Sequence, residues 1–224
     1  MKPEIGKTYL REIPHEGKAF DVEHPSFKGT YAKVADQINE SGLIMSSSSQ
    51  VASLVYDAHQ NPEGKYEAEI IGITKNAYLW ESKGNLYLPK SKDFVSNGVI
   101  LENNPSIING RLNMDKSSLI KRLEENDPNV KFVPFGFKTG GQSWKELGKN
   151  PYIVARYGEE GAEKIAEVAS KYKSNPRLWS FNSTDEEKKF VSSLVGSWYF
   201  DGRLVVGGDD WVCDDSGHAF GVKD

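Results

Sequence analysis

One cysteine in 224 residues excludes an intrachain disulfide and any zinc site built on several thiolates. The four histidines, His15, His24, His59 and His218, never fall at HxH or HExxH spacing, so paired imidazole ligation is not written in the chain. Neither GxxxxGK[ST] nor GxGxxG occurs, which removes the common nucleotide-binding loops. No apolar run reaches the roughly 18 residues of a membrane span, and the first twenty residues lack a signal-peptide core. Positive charge is not in excess either. The formal net charge is -4, without the surplus that general nucleic-acid binding needs. These absences predict a soluble, cytoplasmic protein with no metal and no cofactor; oligomeric state stays open.

What is present supports a packed core. Hydrophobic residues make up 38% of the chain and aromatic residues 11%. Residues 1–29, broken by Pro3, Pro14 and Pro25, read as an extended arm with one short strand at Ala19–Glu23. Residues 30–224 read as a single domain. Thr30 caps a helix whose stripe is Tyr31, Val34 and Ile38, ending at Gly42. Ser47 and Gln50 stand in capping-box spacing before Val51, Leu54, Val55 and Ala58. From Tyr66 the segments YEAEIIGIT, NAYLWES, NLYLPK and NGVILEN are short, β-branched and aromatic, and predict strands. Asp115 caps a helix, and NVKFVPFGF follows as a strand kept to an edge by Pro134.

Further on, TGGQSWKEL offers N–H groups that could hold an anion. PYIVARYG predicts a strand, EEGAEKIAEVASKYK a helix, PRLWSF a strand, and TDEEKKFVSSLVG a helix with Thr184 and Glu187 as a capping box. SWYFDGRLVVGG and DWVCDDSGHAFGV close the chain as hairpins turning at Asp201-Gly202 and at Asp214 to Gly217. The fold class is α+β. N-terminal and inserted helices lie on a largely antiparallel sheet that ends in a C-terminal β meander.

The densest chemistry is GGDDWVCDDSG, residues 207–217. Its four aspartates miss the EF-hand alternation, and turn chemistry explains Asp-Ser-Gly without a metal. Cys213 with His218 would make a nucleophile and base, but the flanking aspartates oppose a thiolate. Alternation puts Trp211 and Cys213 on one face, predicted to be the core, and Asp210 on the wet face. Trp198 and Phe200 share a strand face, and an exposed ring there would serve as a platform for a sugar, base or peptide.

A helix, then LIMSSSSQVASLVYDA, then short Trp-containing strands and a final GHAFGVKD resemble the C-type-lectin-like fold. Leu43 to Leu54 and Gly217 to Val222 stand where bacterial branches carry Arg-Leu-Pro-Thr and Gly-Phe-Arg-Val. The Arg-Leu-Pro-Thr core and the Trp-Ser-Ser motif are absent, and the helix at 159–173 would be an insertion. The YGEEGAEKIAEVASKY and GHAFGV stretches also resemble a group of archaeal proteins, a likeness that implies no activity.

The resemblance implies a non-catalytic binding or interaction protein whose ligand, protein or glycan, is held by C-terminal hairpins. The candidate contacts are Trp198, Asp209, Asp210, Trp211, Asp214, Asp215 and His218. The alternative is a hydrolase or transferase that uses the C-terminal carboxylates with His218.

Overall fold

A computed structural model describes residues 8–197, 202–213 and 216–223. The N-terminal segment carries three strands rather than one: β1 (Thr8–His15), β2 (Lys18–His24) and β3 (Phe27–Gly29). Then come α1 (Tyr31–Glu40), β4 (Ile44–Met45), α2 (Ser48–Gln60) and α3 (Lys65–Asn76). The caps are those the sequence marks. Thr30 accepts from the Lys33 N–H, and Ser47 and Gln50 form a reciprocal box at the start of α2.

The segment at 66–74 is helix α3, not a strand. Ile70, Ile71 and Thr74 are its buried side, and the helix packs on α2 and β12, a spacing of one turn that outweighs the β-branched composition. The expected Lys-Gly turn at 83–84 is also absent. β5 (Leu79–Leu88) runs straight through it as a ten-residue strand buried along its whole length. A bulge stands there instead, since Gly84 pairs with Val191 while the next pair is Glu81 with Ser192.

The middle of the chain supplies β6 (Gly98–Asn103), β7 (Ser106–Ile108), β8 (Arg111–Asn113), α4 (Lys116–Glu124), β9 (Val130–Pro134), β10 (Gly140–Gly141) and α5 (Trp144–Leu147). Asp115 caps α4 and β9 lies at an edge, as its proline requires. The Ser143 N–H, just before α5, holds an anion from the chain itself. The Ser143 N–H donates to Glu146 Oε2 at 2.8 Å, and these contacts with Lys138 bring the Glu146 carboxyl down to about 2.

The remainder is α6 (Pro151–Ser170), β11 (Arg177–Trp179), β12 (Lys188–Ser197), β13 (Arg203–Asp210), β14 (Gly217–Ala219) and β15 (Gly221–Val222). Two expectations fail here. PYIVARYG is the first half of α6, started by Asn150 as cap and Pro151 in the first turn. Gly158, at φ 76° and ψ 171°, breaks the helix and re-aims it, a conformation open essentially to glycine alone. TDEEKKFVSSLVG is mostly strand β12; the Thr184 hydroxyl closes a local turn on Glu186 rather than capping a helix.

The main sheet runs β10-β11-β13-β12-β5-β14-β3. The far edge of β5 is shared, with β14 beside Leu79 and β6 from Lys83 onward, and β9 outside β6. A smaller sheet orders β1-β2-β15-β4, and β7 pairs with β8. Helices α2, α3 and α6 pack together with β1, β12 and β13 around the largest buried cluster. A second cluster joins α1 to Trp80, Val191 and Ala219. The result is one α+β domain. No helix among the described residues is long and apolar enough to cross a membrane.

Candidate functional site

β12 and β13 form the spine of the site. Their register runs from Ser197 opposite Arg203 at one end to Val191 opposite Asp210 at the other. Between the pairs Ser193–Gly207 and Val191–Asp210, two residues of β13 face one of β12. This bulge breaks the alternation and turns Asp210 inward. Asp210 is only 7% exposed, and the Ser193 hydroxyl donates to its Oδ2 at 2.7 Å. The expected wet face is therefore dry at Asp210. Its carboxylate folds over Gly207, where a side chain would collide with it.

Trp211 and Cys213 are displaced the other way. Both are exposed, Trp211 at 55%, so the core predicted for them is corrected. The chain leaves the sheet at Trp211 instead of continuing as a strand, and Val212 accepts the Ala32 N–H at 3.2 Å. That bond ties the loop to the first turn of α1. The expected last hairpin does not form, because β14 pairs with β3 and β5 rather than with β13.

Beneath the loop lies an aromatic ladder. The Trp211 ring meets Phe190 edge-on at 4.7 Å, Phe190 stacks on Phe181 at 5.3 Å, and Phe181 meets buried Tyr87 at 5.1 Å. Lys188 lies over the Phe181 ring. The sequence does not mark Phe190 as part of a site, because residues 184–196 carry a helix signal at Thr184 and Glu187, and Phe181 ends a short predicted strand with nothing local to tie it to Trp211. The alternation Phe190, Ser192, Leu194 was the strand signal available.

The ladder rests on a buried polar network. Tyr87 OH donates to Gly208 O at 2.8 Å, and Tyr152 OH donates to Asn85 Oδ1 at 2.7 Å. Asn85 in turn donates to Ser192 Oγ at 2.9 Å. Burial first, then Tyr152 and the nearby Asp209 charge, hold the Tyr87 phenol well above its usual range, so it stays a donor. A Cβ at Gly208 would collide with the Tyr152 hydroxyl, and only glycine lets both tyrosines approach β13. Deeper still, Arg156 Nε donates to Glu81 Oε2 at 2.8 Å and its Nη1 to Gly207 O at 2.6 Å. Tyr157 OH donates to Glu81 Oε1 at 2.6 Å. The scaffold under the loop is thus cross-linked by hydrogen bonds from α6 and β5.

The described candidate residues do not form one cluster. Asp209, Asp210 and Trp211 are consecutive at one end of the β12–β13 hairpin. Trp198, Asp214 and Asp215 lie outside the described residues, and Ser197, just before Trp198, pairs at the hairpin's opposite end. His218 is three strand spacings from β13, roughly 14 Å across the sheet. Its Nδ1 and the Ser26 hydroxyl share a hydrogen bond of 2.8 Å, so His218 is not brought beside Asp209 or Asp210. Among the described residues no group of three or more His, Cys, Asp and Glu could hold a metal ion.

Burial lowers the imidazole pKa of His218, with Lys28 adding to the effect; burial does the same at His15 and His59. The unfolded chain, with imidazoles near 6.5, binds more protons than the folded one just below that pH. Stability from these groups is full above about pH 6.5 and is lost as pH falls through their depressed values. The melting temperature should fall between pH 7 and 5.5, and His59→Gln should flatten the slope. A melting temperature that is constant or rises over that window would contradict this.

No family model matches the chain, and no curated protein matches it. A solved structure from Nanoarchaeota does. It is described as the accommodation of massive sequence variation by the C-type lectin fold. The superposition has a TM-score of 0.59 at 15% identity, covering 88% of this chain and 96% of that one. The fold is C-type-lectin-like. At this identity the C-type-lectin-like resemblance concerns backbone architecture, which leaves ligand and chemistry to the residues themselves.

Proposed function

We propose that the protein is a non-catalytic binding module whose ligand surface is the loop following β13, with Trp211 as its anchor and a protein or glycan as ligand. The observation that carries this reading is the exposed Trp211 ring. It is held edge-on by Phe190 above a sheet locked by buried hydrogen bonds. A rigid, half-exposed tryptophan supplies contact area at little entropic cost. Asp209 would add a polar contact beside it, with Asp214 and Asp215 proposed on the same loop. The Nanoarchaeota structure supports this division of labour, since its fold is described as accommodating massive sequence variation. In this chain the loop would vary while the sheet stays fixed, and kinship with archaeal relatives is proposed from the shared fold. Asp210, buried on Ser193, supports the loop and is not proposed as a contact. No observation favours hydrolysis by His218 with Asp209 or Asp210, which the sheet holds apart.

The test is a screen of wild type and Trp211→Ser against a glycan array and a panel of cell-surface proteins. The variant should lose at least tenfold in affinity for any ligand found, as for an interface anchor. Its stability should change by about 1 kcal/mol or less, as for an exposed position. Equal binding by both proteins would place the ligand surface elsewhere.

A further inference from the structure

A cavity of about 280 Å³, with none of residues 209–213 in its lining, opens where the start of α2, the bulge of β5 and the break in α6 meet. That volume is just below the range of drug-sized sites, about 300–1,000 Å³, and suits a smaller ligand. Its wall includes Ser47, Ser48 and Ser49 at the N-terminus of the thirteen-residue helix α2.

A helix leaves its first N–H groups without intrahelical acceptors. Here the capping box uses two of them: the Ser47 N–H donates to Gln50 Oε1 and the Gln50 N–H to Ser47 Oγ. The box leaves the N–H groups of Ser48 and Ser49, at the positive end of the helix dipole, for another acceptor. A second observation points the same way. Ser48 is fully buried and its hydroxyl has no hydrogen-bond partner, although buried hydroxyls are nearly always satisfied.

The cavity also holds a cation without a carboxylate of its own. Lys83 is buried, and its ammonium donates to Asn103 Oδ1. Glu81, on the same strand, is taken by Arg156 and Tyr157. Burial, and then the Arg156 charge, bring Lys83 down to about 7. Lys131 stands exposed at the rim, and the carboxylate there is that of Glu16, also exposed. Arg156 reaches the wall but spends its guanidinium on Glu81, Gly207 O and Ser193 O.

We infer that this cavity is a phosphate-binding site, in which the Ser48 and Ser49 N–H groups and the Ser48 hydroxyl donate to the phosphate oxygens and Lys83 supplies the counter-charge. Donors converging from a helix end and a neighbouring strand suit a tetrahedral oxyanion with several acceptor oxygens. The ligand is either inorganic phosphate or the phosphate group of a small monoester; the chemistry recognised is the same.

Two substitutions separate binding from folding. Ser48→Ala removes a hydroxyl that bonds nothing, so the phosphate-free protein should melt no lower than wild type. Lys83→Met removes an uncompensated buried charge and should not lower the melting temperature either. The probes are sodium phosphate, glycerol 3-phosphate and sodium chloride at matched ionic strength, with melting temperature and titration calorimetry as readouts. Phosphate should raise the wild-type melting temperature above that in chloride. Affinity should fall at least tenfold in Lys83→Met and severalfold in Ser48→Ala. Tighter binding of glycerol 3-phosphate would assign the site to a monoester, and tighter binding of free phosphate to the ion. No effect of either phosphate compound beyond chloride at 10 mM, or wild-type affinity in both variants, would overturn the assignment.

Discussion

Arg156→Met is expected to destabilise the protein by about 3–5 kcal/mol, the cost of leaving a buried charge without its partner. Arg156 and Glu81 are both fully buried, and the guanidinium also satisfies Gly207 O and Ser193 O on the two central strands of the hairpin. Removing it strands one carboxylate and two carbonyls at once. Tyr157 would remain as a single neutral donor to Glu81. The double variant Glu81→Leu/Arg156→Met should recover part of the loss, because no charge is then left behind. Urea unfolding checks both. A single-variant loss under about 1 kcal/mol would mean that the ion pair is solvated in solution and does not lock the sheet.

Trp80→Ala should cost a similar amount, about 3–5 kcal/mol, as for a large aromatic removed from a core. Trp80 is 0% exposed, stacks on Tyr78 at 5.3 Å, and meets Tyr31 edge-on. Its indole N–H donates to Gly29 O at 3.1 Å, joining β5 to the end of β3. The ring also lies against Gly217, where a Cβ would overlap it. The substitution therefore opens a cavity where α1, β3 and β14 converge, and Gly29 O loses its donor. Trp80→Phe should cost less, since it fills most of the space but still forfeits that bond. Near-equal losses for the two variants would make the hydrogen bond, not the volume, the dominant part.

The contrast between these two sites explains what the sequence makes legible. Helix starts announced by local chemistry are readable, because Thr30, Ser47 with Gln50, and Asp115 bond within three residues of themselves. α3 has no side-chain cap and is β-branched, so its packing on α2 and β12 makes it a helix. β12 and β13 are covered on both faces, which erases the period-2 signal and leaves Thr184 and Glu187 to mislead. The first half of α6 was readable from Asn150-Pro151, a cap followed by a proline suited to the first turn.

The site follows the same logic. Alternation would set Asp210 opposite Trp211 and Cys213, yet the strand ends at Asp210 and alternation cannot say which side is core. A bulge in β13 at Gly208 and Asp209 decides that, and it exists only through the pairing with β12. Phe181, Phe190 and Tyr87 likewise reach Trp211 only through the strand order. His218 is five residues after Cys213 but belongs to another strand and bonds Ser26.

On this reading the loop after β13 is carried by the sheet and is not needed to hold it together. The direct measurement is the folded fraction of a display library randomised at Trp211, Cys213, Asp214 and Asp215, with Val212 kept for its bond to Ala32. Sorting by protease resistance should find most members as resistant as wild type, and selection on an unrelated protein should yield loop-dependent binders. A library in which most members are cleaved as unfolded chains would contradict the claim and make the loop part of the core.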